Sequence, residues 1–352
     1  MRPYDYLVAD SPEAAVALKA ERPDAQFIAG GTNQIDLMKM GVRRPPAIID
    51  IAGTGLDAVE DRDDAVRVGA LVSNTACAEH PLVREHAPAV SMAIVKGATQ
   101  QIRNMASVGG NLLQSVRSAC FYDVAAPCVR RDGMDVTCGS IGGIDRMNAI
   151  LGTHPKTSDA NPSDMAVAMM ALGATVNVLG PDGPRTVPMG DFFRLPSEVE
   201  AIQETGDGGV TPEGDWYALG PADLITSVDL PTTGTGANQS YHKVRDRASY
   251  AFALISGAAA LRMEGERIAA AHVAAGGVGT IPWRFPAIEA ALVDGPATRE
   301  AFETAAALSV EGARAGNVNA FKLDLLPRVL TRALMEAAQG TPSNPLFWEE
   351  AA

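Results

Sequence analysis

The sequence predicts an α+β protein of two or three domains, and three observations lead there. At 352 residues the chain is too long for one core of ordinary size, and its 47% hydrophobic residues are enough to fill a sizeable interior. Helix-like and strand-like segments alternate through the first half and again after residue 163. A Gly/Thr/Asn-rich stretch near residues 231–239 then marks off a last segment that reads β-β-α-β followed by helices.

The elements follow in order. "SPEAAVALKAER" opens with Ser11 as an N-cap before Pro12 and Glu13, a helix start. "AQFIAGG" is a short strand ending in two glycines, "AIIDI" (47–51) and "AVRVGALVS" (65–73) are further strands, and Leu82 to Ile102 reads as helices broken near Pro88. From 114 to 162 periodicity disappears among Gly, Pro, Asp and Cys, and so long an irregular stretch in a compact domain is usually functional or disordered. A helix at 163–172, a strand at 174–179, the turn "GPDGP" and another strand restore order, with "ETGDGGVTPEGD" a polar loop. "FALISGAAALRMEG" and "IAAAHVAAGGVG" are strands of the final segment. No internal repeat is visible.

Composition excludes several functions. A net charge of −13 argues against a nucleic-acid partner, which needs clustered Lys and Arg. The longest apolar run, from Met165, is too short to span a bilayer. The first twenty residues carry acids where a signal peptide needs an apolar core, and four cysteines make no disulfide framework. A cytoplasmic location is expected, or a periplasmic one by export together with a partner.

Two glycine turns carry the chemistry. In "FIAGGTNQIDLMK" a strand (Phe27, Ile28, Ala29) runs into Gly30, Gly31, Thr32 and Asn33 and then a helix-like segment from Gln34. Glycines let successive N–H groups turn inward and cradle a pyrophosphate, although the pattern is neither G-x-G-x-x-G nor a P-loop. "QIRNMASVGGNLLQ" places Ser107, Gly109, Gly110 and Asn111 after a helical segment, where small residues permit close approach of a polar ligand. In "NPSDMAVAM", Ser163 caps a helix and Asp164 is either a first-turn acid or an acceptor for ribityl or ribose hydroxyls. "MAVAMMAL" is a core stripe, Trp216 and Tyr217 beside the polar loop are hydrophobic anchors or else touch a partner or flavin, and none of the five histidines has a catalytic partner at a recognisable spacing.

Taken in order, "FIAGGTN", "IRNMASVGGN", "PSDM", "ADLITSVDLP" and "YHKVRDRASYAFALIS" resemble the flavoprotein subunits of the molybdenum hydroxylases, which include xanthine dehydrogenase, carbon monoxide dehydrogenase and aldehyde oxidoreductases. The resemblance spans nearly the whole chain. It implies an FAD-binding domain of the vanillyl-alcohol-oxidase type over residues 1–230, with subdomains at about 1–53 and 54–230 and an insertion at about 114–162. A small α/β domain over 240–340 and a tail, 341–352, would follow. By the same resemblance, Ala29 to Asn33 hold the pyrophosphate, with Phe27, Ile28 and Gln34 beside them among the cofactor-binding residues. Ser107, Gly109, Gly110, Asn111 and Asp164 contact the isoalloxazine, ribityl or phosphate portions, Ile225 packs near the adenine or the ring, and Lys243 sits by the flavin unless it instead pairs with Asp246.

The branch most similar to this chain carries four cysteines holding a [4Fe-4S] cluster between the G-G-N and P-S-D motifs. "SVRSACFYDVAAPCVRRDGMDVTC" supplies Cys120, Cys128 and Cys138; Ser118 stands where the first cysteine is usual, and Thr157 about where the fourth would fall. The fourth ligand is then open, with His154 the nearest candidate and Asp159 another. Cys77 reads as a buried thiol. A loop that has lost its cluster, or one holding zinc, are the alternatives.

The resemblance thus implies an oxidoreductase subunit that carries FAD. It takes electrons from a partner with [2Fe-2S] clusters, beside a large subunit with the molybdenum cofactor, and passes them to an external acceptor. A stand-alone FAD oxidase or reductase of the same fold, or a scaffold with a vestigial flavin site, are the competing readings. No side chain is expected to act as a catalytic acid or base.

Overall fold

A computed structural model describes residues 2–206, 212–232, 235 and 237–342. Three sheets divide the chain in sequence order. The first is parallel and small: β1 (Asp5–Val8), β2 (Gln26–Ile28) and β3 (Ala47–Asp50) lie in the order β1-β3-β2. The helix Pro12–Glu21 makes the β1–β2 crossover and begins as its sequence predicts, with the Ser11 hydroxyl accepting from Ala14 N.

The second sheet orders five antiparallel strands as β4-β5-β8-β6-β7, comprising β4 (Val59–Asp61), β5 (Ala65–Gly69), β6 (Thr175–Gly180), β7 (Gly183–Pro188) and β8 (Leu224–Pro231). Between β5 and β6 the chain leaves the sheet for about a hundred residues. That excursion holds helices at Asn74–Glu79, Pro81–His86, Pro88–Val95, Gln100–Met105 and Val108–Leu112, then the cysteine-bearing segment, then the helix Asp164–Leu172. Pro81 and Pro88 each sit in a first turn, where the missing N–H costs nothing, so the prolines start helices. Asp164–Leu172 is buried along nearly its whole length, from Met165 to Ala171. Its methionines are core, as their stripe predicts.

The third sheet is antiparallel, in the order β12-β11-β10-β9: β9 (Gln239–Val244), β10 (Ile255–Glu264), β11 (Arg267–Gly276) and β12 (Trp283–Arg284). The helices Pro286–Leu292, Arg299–Ala306 and Phe321–Ala338 follow, and Phe321–Ala338 packs its buried face on β10 and β9. The predicted β-β-α-β order is therefore corrected to four strands, then helices. The fourth strand is only two residues long and leaves no alternation to read. Part of the polar loop at 204–215, part of the boundary at 231–239 and most of the tail lie outside the described residues.

Each sheet has its own core, built around Ile49 and Ala15 in the first, Val68 and Val228 in the second, and Ile255 and Leu330 in the third. "GGVGTIPWR" is structural. Gly276 packs so closely that a Cβ there would meet Val167 Cγ2 at 2.6 Å, and Val278 O accepts from Ile150 N, fastening the third sheet to the end of the cysteine segment.

Candidate cofactor cavity and cysteine site

The two glycine turns meet. Gly30, after β2, lies against the backbone of Met105, and a Cβ on Gly30 would fall 1.7 Å from Met105 O. Only glycine permits that approach. Gly31 adopts φ +69, the left-handed region that turns the strand into the helix Gln34–Met40. On the other side, Val108 N donates to Val72 O and Gly109 N to Ala70 O, so the second turn is stitched to the chain just after β5. The Ser107 hydroxyl accepts from Gly110 N at 3.2 Å. Ser107 thus starts the helix Val108–Leu112 as its N-cap.

Between the turns lies a cavity of about 890 Å³. Phe27, Ile28, Ala29, Gly30, Gly31, Thr32, Asn33 and Gln34 line one side, and Ser107, Gly109, Gly110 and Asn111 the other. Asp164, Ile225 and Lys243 complete the wall. All fifteen residues singled out in the sequence therefore border one space, although they come from five separate stretches.

Inside it the polar groups are organised. Lys243 Nζ donates to Asp164 Oδ2 at 2.7 Å and to Lys96 O at 3.1 Å, and the Tyr241 hydroxyl donates to Asp164 Oδ1 at 2.6 Å. Lys243 is thus paired with Asp164, not Asp246, which pairs with Arg146. Burial and the neighbouring Asp164 charge hold the Tyr241 phenol well above its ordinary pKa, so it remains a proton donor. Ser163 caps its helix through Ala166 N and donates to Asn111 Oδ1, fixing that amide.

The cavity also passes tests that a flavin dinucleotide would impose. Asn33 does not cap its helix; its amide nitrogen reaches Ser115, and its buried Oδ1 has no partner among the described residues, an acceptor open to a donor. Residues that sequence reasoning missed also border the space. Arg43 and Glu213 form an ion pair at 2.6 Å, and the Arg117 guanidinium stacks on Phe252 at 5.0 Å. "GVRRPP" carries no signal for Arg43, because its partner lies 170 residues away.

The cysteine segment forms a second site. Cys120 sits in the one-turn helix Ala119–Tyr122, Cys128 precedes the one-turn helix Val129–Asp132, and Cys138 N donates to Lys156 O. Their sulfurs and a carboxylate oxygen of Asp159 all lie within 4.8 Å of one another, and all four residues are buried. Hydrogen bonds from Cys128 and Cys138 push the Cys120 thiol far down, while Cys128 moves far up and Cys138 up to about 12, chiefly through their bonds with Cys120. Three sulfurs and a carboxylate oxygen in one buried cluster are a donor set able to hold a metal ion such as iron.

His154 is not part of it. Its Nε2 lies 3.1 Å from Glu200 Oε2, and its Nδ1 accepts from Lys156 N in the turn 154–157. The expectation of His154 as fourth ligand is corrected: closeness in the chain does not bring its ring to the sulfurs. Cys77 stands apart and buried, its thiol raised to about 12 by burial alone.

Comparison with known proteins decides the family. Residues 2–233 match the family described as "FAD binding domain in molybdopterin dehydrogenase", and residues 239–337 match "CO dehydrogenase flavoprotein C-terminal domain". The chain belongs to the FAD-binding medium subunits of the molybdenum hydroxylases. It is 40% identical over 341 residues to the aldehyde oxidoreductase FAD-binding subunit PaoB of Escherichia coli, covering 96% of this chain and 99% of that one. It is 22% identical to the carbon monoxide dehydrogenase medium chain of Afipia carboxidovorans, over 95% of this chain and 96% of that one. Among solved structures, CO dehydrogenase from Oligotropha carboxidovorans superposes with a TM-score of 0.73 at 22% identity, over 96% of this chain and 98% of that one. Quinoline 2-oxidoreductase from Pseudomonas putida gives 0.71 at 21%, with the same coverage. This medium subunit is an oxidoreductase component with an FAD-binding domain.

Proposed function

We propose that the chain is the electron-transferring flavoprotein subunit of a molybdenum-containing aldehyde oxidoreductase. It receives electrons from a small partner bearing [2Fe-2S] clusters, beside a large partner bearing the molybdenum cofactor, and delivers them to an external acceptor. The observation that carries this reading is the contact between Gly30 and Met105, which brings two distant glycine turns to one cavity. The 40% identity to an aldehyde oxidoreductase subunit supports the substrate class.

When bound, FAD supplies the redox chemistry, accepting and releasing electrons at its ring. The chain's own residues bind and tune it. Ala29 to Asn33 offer backbone N–H groups to the diphosphate, with Phe27, Ile28 and Gln34 behind them, and the Asn33 Oδ1 is free to accept from a ribityl or ribose hydroxyl. Ser107, Gly109, Gly110 and Asn111 flank the opposite side, and Ile225 supplies apolar contact. Lys243, held by Asp164, puts a fixed positive charge at the wall, where it favours negative charge on a reduced ring. Cys120, Cys128 and Cys138 hold a [4Fe-4S] cluster, which supplies a one-electron site; their burial keeps it from water.

Purification from the native host tests the reading. The expected result is one FAD per chain and co-purification of a large and a small subunit. A colourless, correctly folded chain that takes up no FAD refutes it. Lys243→Met is expected to lower the flavin potential, which slows electron entry and makes the reduced ring quicker to reoxidise, and an unchanged potential with an unchanged reoxidation rate removes Lys243 from that role.

A further inference from the structure

Asp159 places a buried carboxylate among three sulfurs, with few donors of the chain to satisfy it. Its carboxylate is 1% exposed, and a buried carboxylate is expensive unless donors surround it. Oδ1 has no hydrogen-bond partner among the described residues, and Oδ2 lies 3.7 Å from Cys138 Sγ, whose thiol is a weak donor. The Arg130 guanidinium, whose charge favours the Asp159 carboxylate, is itself stacked 3.5 Å above Trp216 and gives its Nη2 to Thr280 O. The carboxylate instead faces three sulfurs, within 4.8 Å of Cys120, Cys128 and Cys138. Three thiols and an acid buried within 4.8 Å of one another repel once ionised. A cationic centre among them turns that repulsion into coordination.

Neighbouring hydroxyls support the arrangement without supplying the ligand. Thr157 Oγ1 lies 3.5 Å from Cys138 Sγ and accepts from Asp159 N at 3.4 Å, while the Ser118 hydroxyl lies 3.4 Å from Cys120 Sγ. These groups orient ligands, as outer partners of metal sites do. Both are poor competitors, because a hydroxyl must lose a proton of far higher pKa than a carboxyl before it coordinates iron.

We infer that Asp159 is the fourth ligand of the iron–sulfur cluster, which three thiolates and one carboxylate hold in this chain. The inference rests on the cluster assigned above and adds the identity of its fourth corner. A carboxylate is a harder, weaker donor to iron than a thiolate, so the iron at Asp159 is the exchangeable one.

The test uses the full chain and its Asp159→Asn and Asp159→Cys variants, purified without oxygen. Iron, acid-labile sulfide and FAD per chain are measured, with low-temperature EPR before and after a ferrous chelator. The wild type is expected to carry about four irons and lose one to the chelator. Asp159→Asn is expected to carry about three irons with a three-iron EPR signature, and Asp159→Cys to keep about four against the chelator. FAD content, unchanged throughout, shows that each variant has folded. An Asp159→Asn chain with a full, chelator-resistant complement and an unaltered spectrum overturns the ligand assignment while leaving the cluster in place. A wild type free of iron, or one holding zinc, overturns the cluster itself and this inference with it.

Discussion

The flavin cavity and the cysteine site border one continuous core, with Val108, Met165, Cys120 and Cys138 packed in the same cluster, yet they are built from opposite materials. The cavity is shaped by what is missing: side chains at Gly30, Gly31 and Gly109. The cysteine site is shaped by what is present, namely three sulfurs and a carboxylate on a segment of one-turn helices. A site made of backbone requires small residues at fixed places. A site made of side chains requires donor atoms, and the chain between them is free to vary.

That contrast is sharpest at Gly30. In Gly30→Ala the new Cβ meets Met105 O at 1.7 Å and its carbonyl carbon at 2.6 Å, and neither can swing away because both are main chain. Parting the turns is expected to cost about 3 kcal/mol or more. Flavin absorbance per chain should fall severely while iron per chain stays level. Equal loss of both would break the comparison, showing that the two sites form a single cooperative unit.

The Arg43–Glu213 pair is where the sites meet. Ser115, just ahead of the cysteine segment, receives a hydrogen bond from Arg43 Nη2 at 2.8 Å and donates one to Glu213. Glu213→Gln leaves the guanidinium without its counter-charge, at an expected cost of about 3 kcal/mol. Burial pushes the Glu213 carboxyl up, but Arg43 outweighs it and holds the group below its ordinary pKa. A depressed carboxylate stabilises the fold above the ordinary carboxylate range and loses that contribution as pH falls through its folded value. Urea midpoints of wild type and Glu213→Gln should therefore differ most at neutral pH and converge in acid. A gap that persists or widens in acid contradicts the ion pair.

The same difference in materials explains what the sequence revealed. Gly30-Gly31 and Gly109-Gly110 stood out because two small-residue turns recur in an ordered set of family motifs, and all fifteen residues that this resemblance marked border the cavity. The Ser11 and Ser163 caps and the methionine core helix were equally legible, since each depends on neighbours within four residues. Side-chain donors obey no such local rule. His154 stood nearer in the chain to the cysteines than Asp159, but the turn 154–157 points it at Glu200 while Asp159 runs on into the core. Arg43 was invisible for the same reason, and β12 because two residues carry no period.

Lys322 gives the smallest effect. Its ammonium donates to Asn148 O at 2.8 Å and to Gly277 O at 2.6 Å, tying the far end of the cysteine segment to the third sheet. Burial lowers its pKa from 10.5 to about 7, so the unfolded chain holds the proton more tightly. The lysine's contribution is accordingly greatest above pH 10.5, declines as pH falls toward 7 and is flat below that. At neutral pH two hydrogen bonds nearly offset the desolvation, and Lys322→Met should change stability by only about 1 kcal/mol. Denaturation from pH 7 to about pH 10 should show the wild type gaining on the variant as pH rises, with FAD per chain the same in both. A gap that shrinks with rising pH would mean that the ammonium is charged and well satisfied, and that the cysteine segment is held by an ionic tether as strong as the one at Arg43.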